Sequence, residues 1–324
     1  MKGSAFGKVI LLGEHAVVYG VPAIVVGIDR GATARAAAPD KVGAQGASSE
    51  LVLRAEGREQ SLTVLPDATS DLARAFSALL EACAVTAAVR VEAATELPAA
   101  AGLGCSAALA VAIVRALDAW LERPAASLEE TIERAMAWEK VFHGNPSGID
   151  ATAAARGGCL LYERNHGGAR MHELQLSTPL TLAIGHTGIP STTRAMVEHV
   201  ARLRERRPDL VEKSFDGIRS LVNNARLALE ANDVVGLGRL MDLNQMLLSG
   251  LMLSTEEIEA MCRIAREAGA LGAKLTGSGG GGCVVALVEN DAEPVLAGWD
   301  KAGFRSFSTR AFQRAQASER SRAP

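Results

Sequence analysis

"ELPAAAGLGCSAALA", residues 96–110, is the stretch on which the reading of the fold turns. Gly102 and Gly104 stand just ahead of a small polar residue, Ser106, and a long apolar run of helical texture follows. A glycine-rich turn lets an anion come close to main-chain N–H groups, and the helix behind it turns the positive end of its dipole to the same place. The stretch is therefore expected to cradle a phosphate. A P-loop would follow its last glycine with lysine and then serine or threonine, whereas Cys105 and Ser106 stand here. The neutralising charge has to come from elsewhere in the chain.

Length and composition narrow the choice. A chain of 324 residues can bury a sizeable core and suggests two domains. A formal net charge of −3 and aromatics at 4% provide neither a basic face for nucleic acid or an anionic membrane nor rings for stacking bases. Cys83, Cys105, Cys159, Cys262 and Cys283 show no Cys-x-x-Cys spacing and no neighbouring histidine, which argues against a zinc site or a disulfide framework. The N-terminal residues reach Gly13, Glu14 and His15 too early for the apolar region of a signal peptide, and no run of membrane-spanning length follows. A cytoplasmic protein with no nucleic-acid or membrane partner is expected.

Outward from the loop, "AFGKVILL" and "AVVYGVPAIVVGI" read as strands joined by a turn at Gly13, Glu14 and His15. Residues 42–49 read as a loop, short strands are expected around Leu51 and Leu62, and a helix over 68–82 leads to the strand "AAVRVEA". Helices follow from Ser106 to Leu121 and from Ser127, whose spacing to Glu130 fits a capping box. A hairpin is expected at "NHGGAR" and a strand at "LTLAIGHTG", then helices over 192–206, 209–229, 234–251 and 254–268. The last has Ser254 and Glu257 as a second capping box and Gly269 as its stop. "KLTGSGGGGCVVALV" carries a glycine loop into a strand, and the polar "QRAQASERSRAP" reads as a frayed tail.

Several residues stand out against this frame. Gly102, Gly104 and Ala107 also satisfy a dinucleotide-binding fingerprint, but Asp118 falls inside a helix and a second helix follows where a strand is required. "TGSGGGG" places glycine at five of six positions from Gly277 to Gly282, a large entropic cost that points to close approach of a ligand, with a flexible surface loop as the alternative. Glu139 takes a step in the apolar stripe Leu128, Ile132, Ala135, Met136 and Phe142. A carboxylate there should meet a basic side chain or a metal, unless the helix end lifts off the core. Asp150 lies among Pro, Gly and Ala, which suits either a site that admits substrate or a simple helix cap. Lys8 shares its strand face with Phe6, Ile10 and Leu12, as the missing cation, as the partner of Asp150 or as a snorkelling lysine.

Taken together, "KVILLGEHAVVYGVPAI", "PAAAGLGCSAA" and "KLTGSGGGGC" resemble the three signature regions of the GHMP kinase superfamily, in order and over nearly the whole chain. The His-Ala-Val-Val-x-Gly in the first of them is similar to the branch that acts on mevalonate. The resemblance implies a two-domain α+β fold, with an N-terminal ribosomal-protein-S5-like nucleotide-binding domain over 1–177 and a C-terminal ferredoxin-like domain over 178–324. It implies ATP-dependent phosphorylation of mevalonate to 5-phosphomevalonate at a site between the domains. In that comparison Pro98, Ala101, Gly102, Leu103, Gly104, Cys105, Ser106 and Ala107 hold the nucleotide. Ser106 and Glu139 hold Mg²⁺, and Asp150 and Lys8 are catalytic. Glu14, His15, Ser147, Thr193, Gly277 and Ser278 fall at the acceptor end. Cys105 replaces a frequent serine, and Ser191 stands where animal members carry a basic residue, with Arg194 as the nearby cation. A homodimer is compatible with the sequence. Another acceptor within the superfamily (phosphomevalonate, galactose or homoserine), a nucleotide-binding regulator without activity, and a dinucleotide oxidoreductase remain as alternatives.

Overall fold

The computed structural model describes residues 2–39, 48–55, 57–63, 70–99, 101–144, 146–165, 168–190 and 193–311. The chain forms two compact units. One gathers Met1–Gly7, Arg30–Ala99 and Gly104–Arg156, the other Lys8–Asp29, Ala100–Leu103 and Gly157–Pro324.

Strands β1 (Lys2–Leu12) and β2 (Ala23–Ala37) pair with each other and run through both units. In the first unit β3 (Glu50–Ala55), β4 (Arg58–Thr63) and β5 (Arg90–Thr95) complete a mixed sheet. β3 lies parallel to β5 and antiparallel to β4, while β5 runs antiparallel to the second half of β2. Four helices accompany it: α1 (Asp71–Ala82), α2 (Cys105–Trp120), α3 (Leu128–His143) and α4 (Ile149–Arg156). α2 is apolar nearly all round and is buried from Ala107 to Val114, as befits a central helix packed on α3, α4 and β5. Ser70 caps α1 by accepting from the Ala73 N–H at 3.2 Å, and Ser127 with Glu130 forms the expected capping box on α3. The buried face of α3 differs from the expected stripe. It consists of Thr131, Ala135, Trp138 and Glu139, while Phe142 is 40% exposed. The helix turns Trp138 inward because α1 and α2 both pack against it, and burying so large a ring outweighs exposing Phe142.

The second unit contains β6 (Cys159–Asn165), β7 (Gly168–Leu174), β8 (Leu180–His186), α5 (Thr193–Arg206), α6 (Pro208–Glu230), α7 (Val234–Gly250), α8 (Glu256–Glu267), β9 (Gly272–Thr276), β10 (Cys283–Val288), α9 (Glu293–Lys301) and β11 (Arg305–Ala311). Its sheet is antiparallel in the order β2-β11-β8-β10-β9, and β6 pairs with both β2 and β7. Every residue of β9 and β10 is buried, with α7 and α8 packed on β9. Together the units form an α+β fold, and among the described residues no helix is long and apolar enough to cross a membrane.

Two local expectations change. The strand expected from Ala16 begins only at Ala23, since Ala16–Tyr19 forms a 3-10 turn closed by Gly20 at φ 82°. The expected Ser254 cap of α8 is displaced to Thr255, whose Oγ1 accepts from the Ile258 N–H at 3.4 Å. Ser254 is engaged elsewhere, accepting from Gln245 Nε2 at 3.0 Å. The hairpin pairs as expected up to Asn165 opposite Gly168. Most of the 42–49 loop, Ser191 and the tail after 311 lie outside the described residues.

Candidate active site

In the first unit, α2 begins after Gly104, which has φ 73° and brings no side-chain cap, so main-chain N–H groups and the helix dipole make up this terminus. Ser106 lies in its first turn. Its hydroxyl donates to Glu139 Oε1 at 2.5 Å and accepts from the Trp138 indole N–H at 3.1 Å. Glu139 is buried, and its Oε2 lies 3.8 Å from Nε2 of the exposed His143 one turn further on. The misplaced carboxylate of the sequence thus meets a hydroxyl and an imidazole. Cys105 turns its thiol toward Thr95 Oγ1 at 3.7 Å, Ala107 is buried, and Pro98 is partly exposed. Asp150 is the second residue of α4, half-buried and inside the first turn rather than at the cap position. Ser147 Oγ accepts from the Ile149 N–H at 3.4 Å and so shapes the entry to that helix.

The second unit brings the two glycine motifs together. A Cβ on Gly102 would stand 2.9 Å from the Thr276 carbonyl oxygen and 3.1 Å from Gly277 Cα, so only glycine allows this approach, and its φ of 77° favours glycine as well. Ala101 and Leu103 are buried, and the Leu103 carbonyl accepts from the Lys8 N–H at 2.9 Å. Lys8 itself is 3% exposed. Thr276 Oγ1 accepts from the Ile10 N–H at 3.1 Å, tying β1 to the start of the glycine loop. Thr193 is exposed at the first residue of α5, and Met196 of the same helix packs on Gly280.

The Gly13–Glu14–His15 turn takes two titratable side chains out of water. His15 has φ 59°, a costly value for a residue with a Cβ and one that recurs at functional sites. Its Nε2 lies 2.7 Å from the Ser278 carbonyl oxygen, which can only accept, so this nitrogen bears the proton. Burial holds the imidazole below its ordinary value and keeps it neutral, so Nδ1 is an acceptor. Glu14 is fully buried and ion-paired with the fully buried Lys274, and Asn244 Nδ2 donates to its other oxygen at 3.2 Å. Burial pushes the Glu14 carboxyl up and the Lys274 ammonium down, and each opposes the shift of the other. Neither Lys274 nor Asn244 emerges from sequence reasoning. Lys274 carries the same signal as Lys8, a lone lysine in an apolar strand, whereas Asn244 has no comparable mark.

Comparison with known proteins places this geometry. Residues 70–158 match the GHMP kinases N terminal domain and residues 225–305 the GHMP kinases C terminal family. The mevalonate kinase of Pyrococcus abyssi is 34% identical over 95% of this chain and 94% of its own, and that of Aeropyrum pernix 36% identical over 91% and 92%. The crystal structure of L. major mevalonate kinase in complex with R-mevalonate superposes with a TM-score of 0.84 at 29% identity, covering 97% of this chain and 96% of that one. The chain belongs to the GHMP kinases and, within them, to the mevalonate kinase family.

Proposed function

We propose that the chain transfers the γ-phosphoryl group of ATP to the primary hydroxyl of mevalonate, giving 5-phosphomevalonate for isoprenoid precursor synthesis. The observation that carries this is the close approach of Gly102 and Gly277, where a Cβ on either would collide with the other's backbone, so that the two glycine loops meet main chain to main chain. Relatives named mevalonate kinase along almost the full length of the chain support the acceptor.

Pro98, Ala101, Gly102, Leu103, Gly104, Cys105, Ser106 and Ala107, with the N-terminus of α2, receive the triphosphate, chiefly through main-chain N–H groups. Ser106 Oγ and the Glu139 carboxylate are hard oxygen donors and fit Mg²⁺, which when bound supplies positive charge to the β and γ phosphates. Among the described residues no group of three or more His, Cys, Asp or Glu could hold a metal. Asp150 orients the acceptor hydroxyl or takes its proton, and Lys8 offsets charge on the transferring group. His15 and Ser278, with Glu14, Ser147, Thr193 and Gly277, shape the acceptor end. The enzyme works in the cytoplasm, as a monomer or homodimer, on two small anions and without nucleic acid or membrane.

ADP release assayed against mevalonate, phosphomevalonate, galactose and homoserine tests the acceptor. Phosphomevalonate would bring a dianion against Asp150 and the γ-phosphate, where like charges repel. Mevalonate should be used at least about a hundredfold more efficiently, a gap of roughly 2.7 kcal/mol. Equal use of phosphomevalonate or galactose would overturn the acceptor and leave the kinase class standing.

A further inference from the structure

Trp138 immediately precedes Glu139 on α3, and its ring is 2% exposed. An aromatic residue at such a site needs only its rings, and Phe142 packs against them at a centroid distance of 5.7 Å. Yet the indole N–H is aimed at a side-chain oxygen, Ser106 Oγ, at 3.1 Å. An indole can only donate, whereas a hydroxyl has one proton and two lone pairs. Trp138 therefore occupies one lone pair of Ser106 and turns the hydroxyl proton away from itself. That proton goes to Glu139 Oε1 at 2.5 Å, and one lone pair of the serine oxygen remains. Without the indole, a serine in the first turn of a helix can choose among three rotamers and can bond to nearby main chain instead.

We propose that Trp138 is a positioning residue for the divalent cation, fixing the rotamer and hydrogen-bond polarity of the Ser106–Glu139 pair so that a serine lone pair faces the metal. The inference rests on the reading of Ser106 and Glu139 as the metal pair. Groups that orient metal ligands from behind typically change metal affinity by about ten- to a hundredfold when removed. A single neutral donor belongs at the lower end of that range.

Mn²⁺ binding to the ADP complex, read from the spin-resonance signal of free Mn²⁺, tests it in the full chain alongside the Mg²⁺ requirement of turnover. Trp138→Phe should weaken Mn²⁺ binding about tenfold and raise the Mg²⁺ concentration for half-maximal rate in proportion, with KM for mevalonate unchanged. Phenylalanine also leaves space in the core, so the deciding variant carries benzothienylalanine at 138, which keeps both fused rings and replaces N–H by sulfur. It should show the same loss at an unchanged unfolding temperature, and wild-type Mn²⁺ affinity in that variant overturns the proposal. Ser106→Ala run in parallel separates the two levels. If it alone loses Mn²⁺, Trp138 only packs; if it too binds Mn²⁺ like the wild type, the metal reading itself fails.

Discussion

Glu14 and Glu139 are both carboxylates taken out of water, one at 0% and the other at 2% exposure, and the protein answers each in a different way. Glu14 in the second unit faces an equally buried ammonium, Lys274, with Asn244 satisfying its second oxygen. Its countercharge is built into β9. Glu139 in the first unit shares the Ser106 hydroxyl proton and lies 3.8 Å from an imidazole that is itself 42% exposed. The first arrangement sets an ammonium of the protein itself against the carboxylate and ties the Gly-Glu-His turn to the strand that feeds the glycine loop. The second joins a carboxylate and a hydroxyl, two hard oxygens, through one hydrogen bond, and in the proposed role the pair would hold Mg²⁺. Burial alone does not tell the two carboxylates apart; the nature of the partner does.

The largest expected effect tests the Glu14 side. Lys274→Met strands a buried carboxylate and should lower unfolding free energy by about 3–5 kcal/mol in urea titrations. Adding Glu14→Gln to that variant should restore much of the loss, because a buried pair replaced as a unit is often close to neutral. Glu139→Gln, which can still accept from Ser106, should cost no more than about 1 kcal/mol. If Lys274→Met is no more damaging than Glu139→Gln, the contrast between the two carboxylates collapses.

Next in size is a third carboxylate, the half-buried Asp150 in the first turn of α4. Asp150→Asn should reduce kcat by at least about a hundredfold while MgATP affinity stays near normal, since the proposed role concerns the acceptor hydroxyl. Near-normal turnover would return Asp150 to a purely local role at the helix start. Below that come Ser106→Ala and Glu139→Gln, each expected to raise the Mg²⁺ requirement roughly tenfold and to slow turnover. Asn244→Ala, on the other carboxylate, should leave the Mg²⁺ requirement unchanged. A shift there as large as in Ser106→Ala would break the division of labour.

How much of this is legible in the sequence depends on how local the cause is. Glu139 stands out because a charge at a helical step of an apolar pattern is a local conflict, and the structure does bury it. The face it shares is turned, because packing of α1 and α2 on α3 favours Trp138 over Phe142, and a single-helix pattern holds no information about its neighbours. The glycines at 102 and 277 advertise close approach, yet that they approach each other is a contact between positions 175 apart in the chain. The Glu14–Lys274 pair spans 260. Within a five-residue strand next to a glycine run, Lys274 resembles an edge lysine until its partner is placed. The α8 cap fails for the same reason, since Ser254 is spent on Gln245 from another helix and Thr255 inherits the role.

His15 offers the smallest effect and the finest division between the two carboxylate sites, because it borders Glu14 in sequence and is itself buried. Burial keeps its native pKa below the ordinary 6.5, the Ser278 carbonyl bond opposes that shift, and electrostatic coupling to His199 adds to it. In the unfolded chain the imidazole returns to its ordinary value. Between the native value and 6.5 the unfolded state therefore binds more protons, and stability rises with pH across that window. The contribution is fully present above 6.5 and is lost as pH falls below it, until the native imidazole takes a proton too. One group can change stability by at most about 1.4 kcal/mol per pH unit. Urea unfolding at about pH 5.5 and about pH 7.5 should show the wild type losing more stability on acidification than His15→Gln, by at most about 1.4 kcal/mol, since the amide can still donate to Ser278 but does not titrate. Glu14 cannot mimic this, because its carboxyl is pushed upward, so its native state binds more protons than the unfolded chain and its slope has the opposite sign. An equal acid loss in both proteins would mean that His15 already accepts a proton where it lies, and its Nδ1 could not then serve as an acceptor for the substrate.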